Sequence, residues 1–173
     1  MPREQRLKIP ISRDWVLNRI REGKDVRLKN ALIQSNLDFR ILELPTEHID
    51  RTDLEKDAYN LSEDTKIVTS KILITSSKIE GEVNFSNIIF KGRVDFSNTE
   101  FLAHANFAGT QFFGHANFTS VFFEGNDFVP VSANFTGAKF NGNAAYFIVL
   151  SKTIYNLYLA KTSLSMPYHS SVR

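Results

Sequence analysis

Four histidines, a cluster of acids and a complete lack of cysteine bound the chemistry open to this 173-residue chain. Without cysteine there is no disulfide, no thiolate-ligated zinc and no thiol nucleophile. His48 stands beside Glu47 and Asp50 in an oxygen-rich stretch, but no convergent ligand spacing accompanies it. His104 and His115 invite a metal reading, yet they match no metal-binding motif and read as exposed loop histidines. Glu80 and Glu82 are paired carboxylates of the kind general acid–base chemistry uses. Nothing apolar encloses them to shift a pKa, so that role is set aside. Glycines at 81, 92, 109, 114, 125, 137 and 142 recur without preceding a helix, so they form no phosphate-cradling loop. Asn84, Asp95, Asn106, Asn117 and Asn134 recur as well. They read either as a binding ladder or as a solvated face that deters sheet-to-sheet aggregation. No catalytic, cofactor-binding or metal-ligating residue is therefore assigned, and no cofactor is expected.

The elements that would position these residues follow from an unusual composition. Fifteen phenylalanines stand against one tryptophan and two methionines, and 14 of the 15 lie between Phe85 and Phe147. Written in blocks of eleven from Val83, the chain reads VNFSNIIFKGR, VDFSNTEFLAH, ANFAGTQFFGH, ANFTSVFFEGN. After an insertion containing Phe128 and Pro130 it resumes as ANFTGAKFNGN and AAYFIV. Phenylalanine recurs at 85, 90, 96, 101, 107, 112, 118 and 123 at alternating steps of five and six, returns after the insertion at 135 and 140, and Tyr146 takes the next place. A helix needs a period of 3.6 and a single strand a period of 2. Steps near five, with a local small–polar–Phe alternation, suit very short strands joined by turns. The small residue and the Phe point inward and the Asn or Asp between them points out. Gly and Asn after the Phe supply turn conformations.

Four such faces close one coil of 22 residues. The stacked columns are then Phe85, Phe107, Phe135; Phe90, Phe112, Phe140; Ile74, Phe96, Phe118, Tyr146; and Ile79, Phe101, Phe123. Each buried Phe contributes about 1.5–3 kcal/mol, so this stack is the dominant driving force. Residues 26–39 repeat the phrase of 72–85, with Val26 aligned to Ile72, Leu28 to Ile74, Ile33 to Ile79, Leu37 to Val83 and Phe39 to Phe85. His104 and His115, half a coil apart, fall on opposite walls and cannot share one ion.

With these blocks in view, the chain resembles the pentapeptide-repeat family, in the branch whose repeats read A-N-F-x-G-x-x-F-x-G-x. The resemblance covers roughly 26–44 and 67–150. It implies an all-β solenoid, a right-handed quadrilateral β-helix, and says almost nothing about function. Phe at the central position and the extra residue every eleven depart from the simplest family pattern.

The expected organisation is a single β-helix domain over 1–173. Residues 1–25 form an amino-terminal cap, 26–44 a first coil, 45–66 an acidic helical insertion, 67–150 the repeat coils and 151–173 a carboxy-terminal cap or tail. Solenoids need such caps because their ends expose the core. Ser12 is an N-cap and Gly23 a C′ residue for a short helix that lays Trp15 and Ile20 over the first coil. Pro45 ends a strand, and Thr52 with Glu55 forms a capping box for a helix over residues 53–60, docked through Leu54 and Tyr59. Past Ile148, the apolar Ile154, Leu157, Tyr158, Leu159 and Leu164, running to Met166, read as a last coil with a short helix or strand, or as a homodimer surface.

Charge is unevenly placed. Residues 1–37 carry nine basic and four acidic groups, and residues 38–66 carry nine acidic and four basic. Between Phe101 and Ser151 only Glu124, Asp127 and Lys139 are charged, so the repeat surface is neutral and polar. The basic start (Arg3, Arg6, Lys8, Arg13, Arg19, Arg21) lacks interleaved aromatics or a DNA-binding motif and reads as a solvated face. No secretory signal and no run near 18 apolar residues is present, and with no cysteine the chain fits a cytoplasmic setting.

The leading expectation is a non-catalytic interaction scaffold whose protein partner, of unknown identity, reads the acidic insertion through Glu47, Asp50, Asp53, Asp57, Glu63 and Asp64. The family resemblance implies a second reading, a DNA-mimicking modulator of type II topoisomerases such as gyrase. Mimicry needs dense negative charge, which these walls lack. A soluble module of a larger assembly is a third reading. A polysaccharide-active enzyme is a fourth, and it requires clustered acids in a groove, whereas here the acids are scattered.

Overall fold

The computed structural model describes residues 7–123, 131–150, 154–158 and 163–164. Phe128, Pro130, Arg3, Arg6, Leu159 and Met166 lie outside them.

The eleven-residue blocks become short parallel strands stacked coil upon coil. Val83–Asn84 pairs with Ala105–Asn106, which pairs with Ala133–Asn134. Ile88–Phe90 pairs with Gln111–Phe112, and that with Lys139–Phe140. Val94–Asp95 lies between Ile72–Thr75 and Ala116–Phe123. Glu100–Phe101 lies between Lys78–Ile79 and the end of that same long strand. The four columns read from the Phe spacing are thus in backbone register, including Phe118 opposite Tyr146. The early phrase joins them: Val26 pairs with Ile72, Ile33 with Ile79 and Leu37 with Val83. Val68 sits beneath Phe90, so the second column begins there. At the far end, Ile154–Tyr158 and Ser163–Leu164 continue two columns as parallel strands.

Phe85, Phe90, Phe96, Phe107, Phe118 and Phe123 are fully buried; Phe101, Phe112, Phe135 and Phe140 are nearly so. Rings stack along the second and fourth columns, whereas in the first column Phe85 meets Phe107 edge-on at 70°. Phe107 and Phe135 are 4.7 Å apart and 4° from parallel, and Phe112 and Phe140 are 4.7 Å apart at 10°. Phe112 and Phe118, on neighbouring columns, meet at 85°. Offset-stacked and edge-on contacts are the arrangements that the ring quadrupole favours.

Each corner after an x-N-F strand is built from two side chains' worth of chemistry. The Asn or Asp accepts a hydrogen bond through Oδ1 from the backbone N–H two residues on: Asn84 from Ser86, Asp95 from Ser97, Asn106 from Ala108, Asn117 from Thr119 and Asn134 from Thr136. These are Asx turns. Two residues past the central position the backbone turns left-handed, at Asn30, Ser76, Asn87, Asn98, Gly109, Ser120 and Gly137. Asn, and Gly more readily, tolerate that conformation. The recurring Asn column is therefore first a corner device, a role not visible from alternation alone.

Helix α1 (Arg13–Arg21) carries the expected caps. Trp15 donates its backbone N–H to Ser12 Oγ at 3.2 Å, and Gly23 and Lys24 close the other end on Ile20 and Arg19 carbonyls. Its buried stripe is Val16, Leu17 and Ile20. Trp15 does not cover the coil: it is 40% exposed, with the Arg19 guanidinium 5.1 Å from its ring. Positions 13, 16, 17 and 20 share one helical face, and Trp15 falls one position outside it. A strand before the helix, Ile9–Pro10, already pairs with Ala31–Leu32.

Candidate functional site

The departure from coil geometry is the segment between Pro45 and Val68. It leaves as the strand Thr46–His48, turns through α2 (Asp53–Asp57), and returns as Asp64–Val68, antiparallel to the first strand. Thr52 and Glu55 form the expected reciprocal capping box: Glu55 donates its N–H to Thr52 Oγ1 at 3.2 Å, and Thr52 donates its N–H to Glu55 Oε2 at 2.9 Å. The helix stops at Asp57 and not at residue 60, because Asn60 is left-handed at φ 52°.

Leu54 does not dock this arm; it is 46% exposed. The docking residues are Arg51 and Leu61. Leu61 is 5% exposed and rests on the corner column, where a β-carbon on Gly109 would lie 2.6 Å from Leu61 Cδ1 and one on Gly137 would lie 3.5 Å from it. Arg51 has a fully buried side chain. Its Nη2 donates to Asn87 Oδ1 at 2.7 Å and to the Gly109 carbonyl at 3.1 Å, and its Nε donates to the Ser62 carbonyl at 3.4 Å. Glu55 Oε1 lies 3.7 Å from Arg51 Nη1 and 3.9 Å from Lys139 Nζ on the coil. Burial pushes the Arg51 guanidinium below its ordinary pKa, with Glu55 acting against that. Burial also raises the Glu55 carboxyl, but the Thr52 N–H and hydroxyl, Lys139 and Arg51 outweigh it and hold Glu55 below the ordinary range. An arginine in an acidic stretch gives no sign of which wall it will enter, so neither anchor was legible beforehand.

The six acids considered for partner binding all lie on this arm. Asp50, Asp53 and Asp64 point to solvent, with side chains 104%, 95% and 79% exposed. Asp57 is also exposed. Glu47 and Glu63 are partly covered and matched by cations: Lys91 lies 3.1 Å from Glu47, and Lys56 lies 3.5 Å from both Glu63 and Asp53. His48 lies 3.6 Å from Asp50 and 3.9 Å from Asp64. Among the described residues no group of three or more His, Asp or Glu is placed to hold a metal ion, and no helix is long and apolar enough to cross a membrane. His104 precedes the strand Ala105–Asn106 and His115 precedes Ala116, which belongs to a different sheet. Glu80 accepts from Gln34 and is exposed, as is Glu82.

Parallel coils in register, Asx corners and Phe columns all follow one five-residue grammar. Residues 74–121 match the family model for pentapeptide repeats (9 copies). The chain contains pentapeptide repeats. No curated protein and no solved structure matches it. The pentapeptide-repeat register extends past the matched residues in both directions, to Val26 through the pairing with Ile72 and to Phe140 through the pairing with Phe112.

Proposed function

We propose that this chain is a non-catalytic pentapeptide-repeat scaffold, a right-handed quadrilateral β-helix that presents its acidic arm to a basic protein partner. The observation that carries this reading is the polarity of the arm. Its underside is anchored by Arg51 and Leu61, while Asp50 and Asp53 project into solvent. A rigid rod with one charged projection suits selection of a partner by charge complementarity. The handedness rests on the family resemblance, and the closed four-sided section on that resemblance and on the parallel pairing of successive coils. A cytosolic setting rests on the lack of cysteine. The walls between Leu102 and Phe123 contain no Asp, Glu, Lys or Arg, which gives a DNA-mimicking topoisomerase modulator nothing to work with.

The test is affinity capture from native lysate with the whole chain, an Asp50→Asn/Asp53→Asn/Asp57→Asn variant, and a variant whose residues 46–65 are a short Gly/Ser loop. A partner held by the whole chain and lost by both variants supports the arm as the reading surface. A partner held equally by all three moves the site to the coil walls or ends.

A further inference from the structure

The arm does more than project: it roofs a cleft on the asparagine wall. The cleft measures about 390 Å³, near the lower end of small-molecule sites, which run about 300–1,000 Å³. Tyr59 and Asp64 of the arm face Asn106 and Asn134 of the coil across it, with Arg40 and Lys66 also in its lining. The same two asparagines also line a second hollow of about 230 Å³, toward Asn84 and His104. Most small-molecule sites are apolar with a few polar groups. This one is polar over slightly more than half of its lining, so its ligand carries hydrogen-bonding groups.

The corner chemistry fixes which polar groups it can offer. Asn106 and Asn134 commit Oδ1 to the backbone N–H groups of Ala108 and Thr136, at 3.0 and 2.9 Å. Each then offers a ligand the two donors of its amide NH₂ and one remaining lone pair on Oδ1. The two residues are paired in register on adjacent strands, so these donors repeat at roughly 4.8 Å. Lys66 Nζ donates to the carbonyls of Leu42 and Arg40, which are neutral acceptors, and its charge is offset only through space by Asp38, whose two oxygens Arg40 holds. Asp64 is the carboxylate in this lining and lies 3.9 Å from His48.

We propose that the cleft between the arm and the asparagine wall binds a hydroxylated carboxylate, either a free sugar acid or a uronate unit of an acidic glycan. Repeated donors and a cation only partly offset by Asp38 fit an acceptor-rich anion, and Tyr59 is the aromatic residue of the lining. This stands apart from the protein-partner reading at Asp50, Asp53 and Asp57 on the outer side of the arm, with Asp64 bordering both.

The experiment is calorimetric titration of the whole chain with galacturonate, with a short oligogalacturonate and with neutral galactose, alongside an Asn106→Asp/Asn134→Asp variant. Aspartate keeps the Asx turn, as Asp95 does on the opposite wall, but replaces the donor with a carboxylate oxygen. Circular dichroism checks that the variant is folded, and amide chemical shifts of the wild-type chain place the probe independently of it. We expect an acid to bind, galactose to bind at least about tenfold more weakly, the variant to lose at least about tenfold in affinity, and shifts to move at residues 59–62 and 106–110. Equal binding of monomer and oligomer identifies a free sugar acid; oligomer binding alone identifies a glycan. No binding of either acid at about 10 mM, full affinity in the folded variant, equal affinity for galactose, or shifts away from the cleft would each overturn the proposal. Unaltered uronate binding by Asp50→Asn/Asp53→Asn/Asp57→Asn would separate this site from the partner surface.

Discussion

Leu61 occupies the space that a side chain on Gly109 would need: a β-carbon built there would lie 2.6 Å from Leu61 Cδ1 and 2.7 Å from its Cδ2. The repeat's glycine is therefore both a left-handed corner, at φ +64°, and the floor of the arm's seat. Gly109→Ala combines the left-handed penalty with overpacking and is expected to cost about 2–4 kcal/mol. Gly137→Ala, with Leu61 at an ordinary 3.5 Å, carries only the backbone penalty of about 1–2 kcal/mol. Urea unfolding compares the two, and hydrogen exchange at Ile49 and Leu61 reports whether the arm lifts.

Arg51 and Glu55 should behave as a coupled pair. Glu55→Gln leaves the buried guanidinium without its counter-charge while keeping an amide oxygen for the capping box. Arg51→Met strips Asn87 and the Gly109 carbonyl of a donor. Each is expected to destabilise the arm by about 1–3 kcal/mol, and the double variant by less than the two together. A double-mutant cycle read by exchange protection of the arm gives the coupling. Strict additivity would show that the pair does not act as a unit.

Acid should weaken the molecule through carboxylates whose folded pKa is depressed. Glu55 is one. Asp95 is another: burial raises it, but the Ser97 hydroxyl and N–H, with Arg93 and Asn117, hold it low. A depressed carboxylate contributes stability above its unfolded pKa, near 4.5 for Glu and 3.8 for Asp, and that contribution is lost as pH falls through the lower folded value. Thermal melts from pH 7 to pH 3 should show Tm falling below about pH 4.5. Asp95→Asn, which preserves the Asx turn, should flatten that fall. An unchanged slope in this variant would remove Asp95 from the account.

Adjacent phenylalanines should differ sharply. Phe112 is 1% exposed and stacks on both Phe90 and Phe140. Phe113 is 43% exposed, with Lys91 Nζ 4.3 Å from its ring. Phe112→Ala should cost about 3–5 kcal/mol, whereas Phe113→Ala should stay within about 1 kcal/mol. Denaturant midpoints decide between them.

The acid clusters, the histidines and the asparagine ladder were all visible as residue types, yet their roles were not. Asn106 reads as a solvated face because period-2 alternation says only that it points away from the core. That its Oδ1 closes a turn on Ala108 depends on the backbone bending there. Leu54 and Leu61 are chemically alike, and only the path of the arm decides that Leu61 meets the glycine corner while Leu54 faces solvent. Trp15 reads as a lid residue by size, but helical phase places Val16, Leu17 and Ile20 inward.

What the chain determined by itself is the stack: steps of five and six between phenylalanines dictate which residues share a column, because parallel strands repeat one pattern of side chains at a constant offset. The alignment of Val26 with Ile72 across 46 residues was legible for the same reason. Only the tertiary structure decided how the arm returns to the coil. Arg51 finds Asn87 36 residues away and Gly109 58 residues away. Those contacts obey no repeat, since they depend on the three-dimensional path of one insertion, and a single non-repeating contact leaves no period in a sequence.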